Sequence, residues 1–247
     1  MRVVLLLLVS LSLPLTGDEI AYAIEGTKTP KDIKSILAMK IVDSKGREKN
    51  KKIKTITRDR SRMQILWFLE PAKDKGISLL KIDYADKLDE MRMWIPAIKK
   101  TRRITSSKRT GSFMGSDLSY EDLYNKDLSE FIYHYKYDEV YNDTDCYVVE
   151  IVPREGIVTD YGRHVAWISK EGFQTIKEES YNKSGIKYKQ KDFTYIISKD
   201  YKVIESIYVK NFVKGSTTSL KFNDIQVDTG VSDNLFHEKN LKRIAQW

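Results

Sequence analysis

The chain of 247 residues carries one cysteine, Cys146, so no intramolecular disulfide can brace it. Its setting, Cys146-Tyr147-Val148-Val149, is that of a strand residue, and a lone cysteine there reads as a small buried side chain rather than a nucleophile. Five prolines and 12 glycines are too few to hide a long flexible linker. Histidine is scarce as well. His134, His164 and His237 are scattered, and none stands at metal-ligand spacing from a cysteine or another histidine, so no metal or cofactor is expected. Neither a Gly-x-Ser-x-Gly elbow nor a Gly-Lys-Ser/Thr phosphate loop occurs, and the chain is read as a non-enzyme.

A long apolar run is missing too. Val3 to Leu15, after Arg2, is too short to span a bilayer as a helix but fits the core of a secretory signal peptide. A cut after Gly17 is favoured over one after Ala23, which the small residues of Ala21-Tyr22-Ala23 also permit. Residues 1–17 are therefore expected to be a signal peptide and residues 18–247 a single domain. No cysteine follows the run, so a periplasmic protein without a lipid anchor is expected. Thr16-Gly17-Asp18-Glu19, followed by Ile20, Ala21 and Ile24, reads as the start of a short amphipathic helix.

What the sequence does hold is 41% hydrophobic and 32% charged residues, with 15 tyrosines, which suit half-buried strands. Beyond the first helix, short apolar/polar alternations are separated by turn signals. Leu37, Met39 and Ile41 alternate with Ala38 and Lys40; Met63 to Leu69 is almost continuously apolar, which predicts cover on both faces. Strand patterns follow at Ile77–Tyr84, Met91–Ile95, Tyr133–Tyr141, Cys146–Val152, His164–Ser169, Thr175–Tyr181, Lys187–Ile197, Lys202–Val213 and Thr217–Val227. Residues 101–127 lose the period of two, and Asp233 to Ile244 reads as a short helical ending. About ten strands joined by hairpins, with no strand–helix alternation, predict a mainly β fold with short helices: one strongly curved antiparallel sheet.

The net charge is +8. Lys99, Lys100, Arg102, Arg103, Lys108 and Arg109 form a basic stretch that is either a solvated face or a dock for anionic headgroups or a partner. Export removes the chain from nucleic acid, and no aromatic platform interleaves with these cations. Asp117, Glu121 and Asp122 could do acid–base work, cap a turn, or pair with Arg102, Arg103 or Arg109.

Read together, Phe68-Leu69-Glu70-Pro71-Ala72, Lys75-Gly76, Leu79-Leu80, Trp94-Ile95-Pro96-Ala97, Arg102-Arg103-Ile104 and the string Gly111-Ser112-Phe113-Met114-Gly115-Ser116-Asp117-Leu118-Ser119-Tyr120-Glu121-Asp122 resemble the outer-membrane lipoprotein-sorting family, relatives of the periplasmic carrier LolA. The resemblance implies a half-open β-barrel covered by short helices, with an apolar groove for the acyl chains of a lipid or lipoprotein. It implies an inner-membrane exporter and an outer-membrane acceptor as partners, and no catalytic residues. A monomer is expected. A lipid sensor on the same fold and an enzyme acting on envelope lipids are the alternatives.

On this basis the groove is expected to be lined from among Leu37, Met39, Ile41, Leu66, Phe68, Leu80, Met91, Met93, Tyr135 and Trp167, with strand parity open. The segment Gly111, Phe113, Met114, Gly115, Ser116, Asp117, Tyr120, Asp122 is expected to be an ordered loop at the groove's mouth. Ser116 and Asp117 are expected to cap a helical turn, and Phe113-Met114 either closes the core or acts as a gate.

Overall fold

A computed structural model describes residues 15–84 and 87–245. The expected signal run lies outside the described residues except for Leu15, which packs beside Ile20. Helix α1 spans Gly17–Glu25 and begins with a capping box: the Thr16 hydroxyl accepts from the Glu19 amide, and the Glu19 carboxylate accepts from the Thr16 amide at 2.7 Å. Gly17 is required by a close approach, since a β-carbon there would sit 2.2 Å from the carbonyl oxygen of Tyr133. A cut after Gly17 or after Ala23 would thus remove residues that the fold uses.

Thirteen strands follow: β1 (Asp32–Val42), β2 (Glu48–Arg58), β3 (Met63–Glu70), β4 (Ser78–Ile82), β5 (Glu90–Ile95), β6 (Lys100–Arg103), β7 (Phe131–Tyr141), β8 (Thr144–Pro153), β9 (Tyr161–Ser169), β10 (Thr175–Asn182), β11 (Lys187–Ser198), β12 (Tyr201–Asn211) and β13 (Ser216–Val227). They form one antiparallel sheet in the order β6-β5-β4-β3-β2-β1-β13-β12-β11-β10-β9-β8-β7. Every connection but one is a hairpin between neighbours. First and last strands pair with each other through Met39↔Leu220 and its flanking pairs. The exception, residues 104–130, carries the chain from one free edge of the sheet, β6, to the opposite edge, β7. The sheet stays open, and that crossing segment covers its inner face.

Parity assigns the faces. Leu37, Met39 and Ile41 of β1, Ile53 of β2, Leu66 and Phe68 of β3, Leu79 of β4 and Met91 and Met93 of β5 meet Phe113 and Leu118 of the crossing segment in one core. On the outer face Ile56, Ile65, Trp67 and Leu80 pack under Val231, Phe236 and Leu241. Both faces of β3 are therefore covered, as its continuous apolar run requires. The C-terminal segment, two short 3₁₀ turns at Asp233–Leu235 and Glu238–Lys242, supplies the outer cover. Asp32 ties that segment down: its buried carboxylate accepts from the amides of Thr229, Gly230 and Val231 and from the Thr229 hydroxyl. A third core joins Ile20 of α1 to Phe131, Val149, Ile151, Ala166 and Ile168. Among the described residues no helix is long and apolar enough to cross a membrane.

Candidate functional site: an amphipathic cavity beside a buried charge chain

The inner face is packed at one end and open at the other. Along β1, Leu37, Met39 and Ile41 lie in the core, whereas Ile33 and Ser35, on the same face, line a cavity of about 930 Å³. Its apolar lining comprises Ala21 and Ile24 of α1, Ile33, Ile151, Ala166, Ile168, Phe173, Tyr195, Val203, Ile204, Phe222 and Ile225. The rest of its lining is largely polar and charged, with Arg60, Arg62, Asp83, Lys87, Asp89, Arg109, Lys126 and Glu130, joined by Glu25, Lys28, Glu178 and Lys202. Most of these charges are held by protein partners. The Arg60 guanidinium donates to the carbonyls of Ile24 (3.0 Å), in the last turn of α1, and Thr27 (2.8 Å), just past it, and Arg62 pairs with Glu25 at 3.4 Å. The volume falls within the range of small-molecule sites, roughly 300–1,000 Å³. A lining of both kinds suits a ligand that is itself part apolar and part polar.

Behind the charged lining runs a buried chain of alternating charge. Lys189 Nζ lies 2.8 Å from Asp122 Oδ2, and Lys191 Nζ 2.5 Å from Asp122 Oδ1 and 3.1 Å from Glu178 Oε1. Lys126 Nζ, at the cavity, lies 2.6 Å from Glu178 Oε2. The Tyr161 hydroxyl donates to Asp122 at 3.1 Å and accepts from Lys189 at 2.6 Å. Burial works to raise the Asp122 carboxyl, but Lys191 and Lys189 outweigh it and hold it well below the ordinary range. Glu178 is lowered in the same way by Lys126 and Lys191. Burial opposes the charge of Lys191, yet Asp122 and Glu178 raise it above a free lysine. Tyr161 is pushed well up by burial.

His164 and Ser180 also meet here, with Nδ1 and Oγ 2.9 Å apart. Glu178 Oε1 lies 3.5 Å from the same ring nitrogen. In a hydrolytic triad the acid and the hydroxyl use opposite nitrogens of the ring. Ser180 is also fully buried, so this trio serves packing. Burial, aided by Lys126, pushes His164 down to about 3, which keeps it neutral. Among the described residues no group of three or more His, Cys, Asp or Glu is arranged to hold a metal ion.

The residues expected to line the groove do not line this cavity. Leu37, Met39, Ile41, Leu66, Phe68, Met91 and Met93 have the expected inward parity but fill the packed end. Leu80 points outward under the C-terminal segment, because its strand is apolar on both faces and parity cannot be read from it. Trp167 is also on the outer face, with Cys146 and Val148, and its indole donates to Glu139 at 2.6 Å. Tyr135 packs on Tyr147 beside the Ile20 cluster.

The string at Gly111 packs as a loop that plugs the packed end instead of edging the cavity, which none of its residues lines. Phe113 is 2% exposed and packs on Phe68 and edge-on to Tyr120. Met114 and Gly115 both take left-handed backbone, at φ 51° and 80°. Asp117 caps no helical turn. Its carboxylate accepts from the Ser216 (2.5 Å) and Thr218 (2.8 Å) hydroxyls of β13, while the Ser116 hydroxyl donates to the Phe113 carbonyl.

The arginine partners expected for these acids are also replaced. Asp122 crosses to the lysines of β11, which a reading limited to nearby residues could not find. The signal available in the sequence was Lys187-Tyr188-Lys189-Gln190-Lys191, lysine at every second residue and so on one face of one strand. Of the expected docking cations, Lys99, Lys100, Arg102 and Arg103 are together at the turn into β6 and on that edge strand. Arg109 departs from them: it stacks 4.1 Å from the Tyr124 ring, reaches Asp89 at 3.3 Å and lines the cavity.

Residues 60–243 match the model of a family described as uncharacterized protein. The chain belongs to that family. No curated protein matches it. Among solved structures, a domain of Vibrio parahaemolyticus described as outer membrane lipoprotein-sorting is 25% identical, over 92% of this chain and 98% of that one, with a TM-score of 0.86. A DUF1329 family protein of Desulfovibrio piger is 27% identical, over 91% and 97%, with a TM-score of 0.85. A LolA superfamily protein of Nitrosomonas europaea shares 17% identity over 92% and 99%, with a TM-score of 0.71, and so shares the fold. All of them share the LolA-like fold, which in this chain is one open curved sheet with a covering segment and a short helix.

Proposed function

We propose that this protein is a carrier of the bacterial envelope that takes the acyl chains of a lipid or lipoprotein into the cavity between α1 and the open end of the sheet. The observation that carries this reading is the cavity itself: about 930 Å³, with aliphatic and aromatic lining from α1, β1, β8, β9 and β11 to β13. An acyl chain needs apolar area, about 0.8 kcal/mol per buried methylene, and little directed polar chemistry. The charged lining with Arg60, Lys87 and Lys126 then faces the headgroup. The likeness to the Vibrio lipoprotein-sorting domain supports the same reading. In it, the apolar run from Val3 directs export to the periplasm and the chain from Thr16 onward forms the binding domain. An exporter and an acceptor hand the cargo on, and no covalent chemistry is done. Lys99, Lys100, Arg102 and Arg103 on the edge strand β6 are free to meet such partners.

Uptake of a fluorescent fatty-acyl probe tests this. Saturable uptake by the native protein, competed by phospholipid, is the expected result. No uptake at probe concentrations that saturate a known acyl-binding protein would refute it.

A further inference from the structure

Three neighbouring hairpins stand at the end of the sheet away from the cavity: Asp43–Arg47 between β1 and β2, Asn182–Ile186 between β10 and β11, and Asn211–Gly215 between β12 and β13. Along β1 the cavity residue Ser35 and the turn residue Asp43 are about 26 Å apart at strand rise. The first and third hairpins touch, since a β-carbon at Gly215 would lie 3.5 Å from Ser44. The second and third also touch: the Phe212 amide donates to the Tyr188 carbonyl at 3.0 Å, and the Lys187 ammonium sits 4.7 Å from the Phe212 ring.

All three turns are braced alike. The side chain of the first residue of each accepts two backbone amides: Asp43 from Lys45 and Arg47, Asn182 from Ser184 and Ile186, Asn211 from Val213 and Lys214. The tips are braced, yet the second and third hold apolar side chains out in water, with Ile186 57%, Phe212 41% and Val213 64% exposed. Around them stand Lys45, Lys49, Lys183, Lys210 and Lys214, beside Arg47 and Lys187, which Asp43 and Glu179 hold at 2.7 Å each. The acids of the same turns are spoken for, Asp43 by Arg47 at 2.7 Å and Glu48 by Lys40 at 2.7 Å.

We propose that this end docks on the surface of an anionic lipid bilayer, with Phe212, Val213 and Ile186 entering the headgroup layer and the lysines meeting lipid phosphates. Apolar tips ringed by cations match an interface that is greasy below and negative above. An acidic protein partner could satisfy the lysines, but apolar side chains standing out from two adjoining hairpins, with a third, wholly polar one beside them, suit a plane better than a pocket. The cavity lies at the opposite end, so a docked molecule keeps it open toward a second body. This inference is independent of what the cavity binds.

Sedimentation with vesicles tests it. The full chain should bind vesicles of phosphatidylcholine containing about 30% phosphatidylglycerol, bind pure phosphatidylcholine far less, and release as salt rises from about 0.05 M to about 0.5 M. Each lysine lost from such a surface weakens binding about fivefold, so Lys183→Glu with Lys214→Glu should weaken it at least about 25-fold. Phe212→Ser with Val213→Ser should weaken it at unchanged salt dependence. A control with equal charge change elsewhere, Lys221→Glu with Lys239→Glu, should keep most of the binding, and melting curves of all variants should match the native one. The proposal is overturned if the native chain ignores anionic vesicles, if the control loses as much as the tip variants, or if a soluble acidic protein captures the tips while vesicles do not.

Discussion

The Asp122 carboxylate lies 2.8 Å from the Lys189 ammonium, and both side chains are 2% exposed. This pair, with Lys191, joins the segment that crosses the open side to β11 on the far half of the sheet. Removing one partner leaves buried charge uncompensated, which costs about 3–5 kcal/mol. Asp122→Asn should therefore lower the melting temperature steeply, while Asp122→Asn combined with Lys191→Met should recover part of the loss in thermal melts. Equal stability of Asp122→Asn and the native protein would show that the bridge does not hold the cover in place.

The same region sets the acid limit of stability. His164 is held neutral by burial, at about 3 against 6.5 when free. Between those values the unfolded chain binds a proton that the fold refuses, so stability falls as pH drops from 6.5, by up to about 1.4 kcal/mol per pH unit. Asp122 and Glu178 act lower: their contribution is complete above the free values of 3.8 and 4.5 and is lost as pH falls toward their depressed folded values. Denaturant melts at stepped pH should show the decline beginning near 6.5. In His164→Gln that first decline should flatten, leaving the loss below 4.5. A native profile flat from about pH 7 to about pH 5 would contradict this account.

Phe113 gives a contrasting case. It is embedded between Phe68 and Tyr120 and does not line the cavity. Phe113→Ala should cost about 3–5 kcal/mol, as large cavities in packed cores do. Acyl-probe affinity, measured well below the melting temperature, should change little. Loss of uptake at unchanged stability would instead give this loop a gating role.

At the other end of the chain, Thr16 and Gly17 belong to the folded body. Chains beginning at Thr16, Asp18 and Ile24 should melt in that descending order. The first step, loss of the cap, is worth about 1 kcal/mol. The second is larger because it removes Ile20 and Ala21, both buried. Identical melts of the first two chains would mean that the cap contributes nothing.

The elements were legible because alternation of period two, broken by Asp43-Ser44-Lys45-Gly46 or Asn182-Lys183-Ser184-Gly185, marks strands and hairpins directly. The Thr16…Glu19 box likewise marks a helix start. The site was less legible, for two reasons. Parity tells which side chains share a face, but not where along that face packing ends and open space begins; Ile33 and Leu37 are indistinguishable by pattern, yet one lines the cavity and the other fills the core. Long-range ion pairs are also invisible to local reading. Asp122 stands near several arginines in sequence, and the fold brings it to Lys189 and Lys191 instead.

The central claim is that the cavity holds acyl chains, and native mass spectrometry of the purified protein with lipid extraction tests it most directly. The native chain should carry an acyl-containing compound. Ile204→Asp with Ile225→Asp, both half-buried in the apolar lining, should lose that compound while melting as the native chain does. A native protein that carries no such compound, and still takes none up when incubated with envelope lipids, would contradict the account.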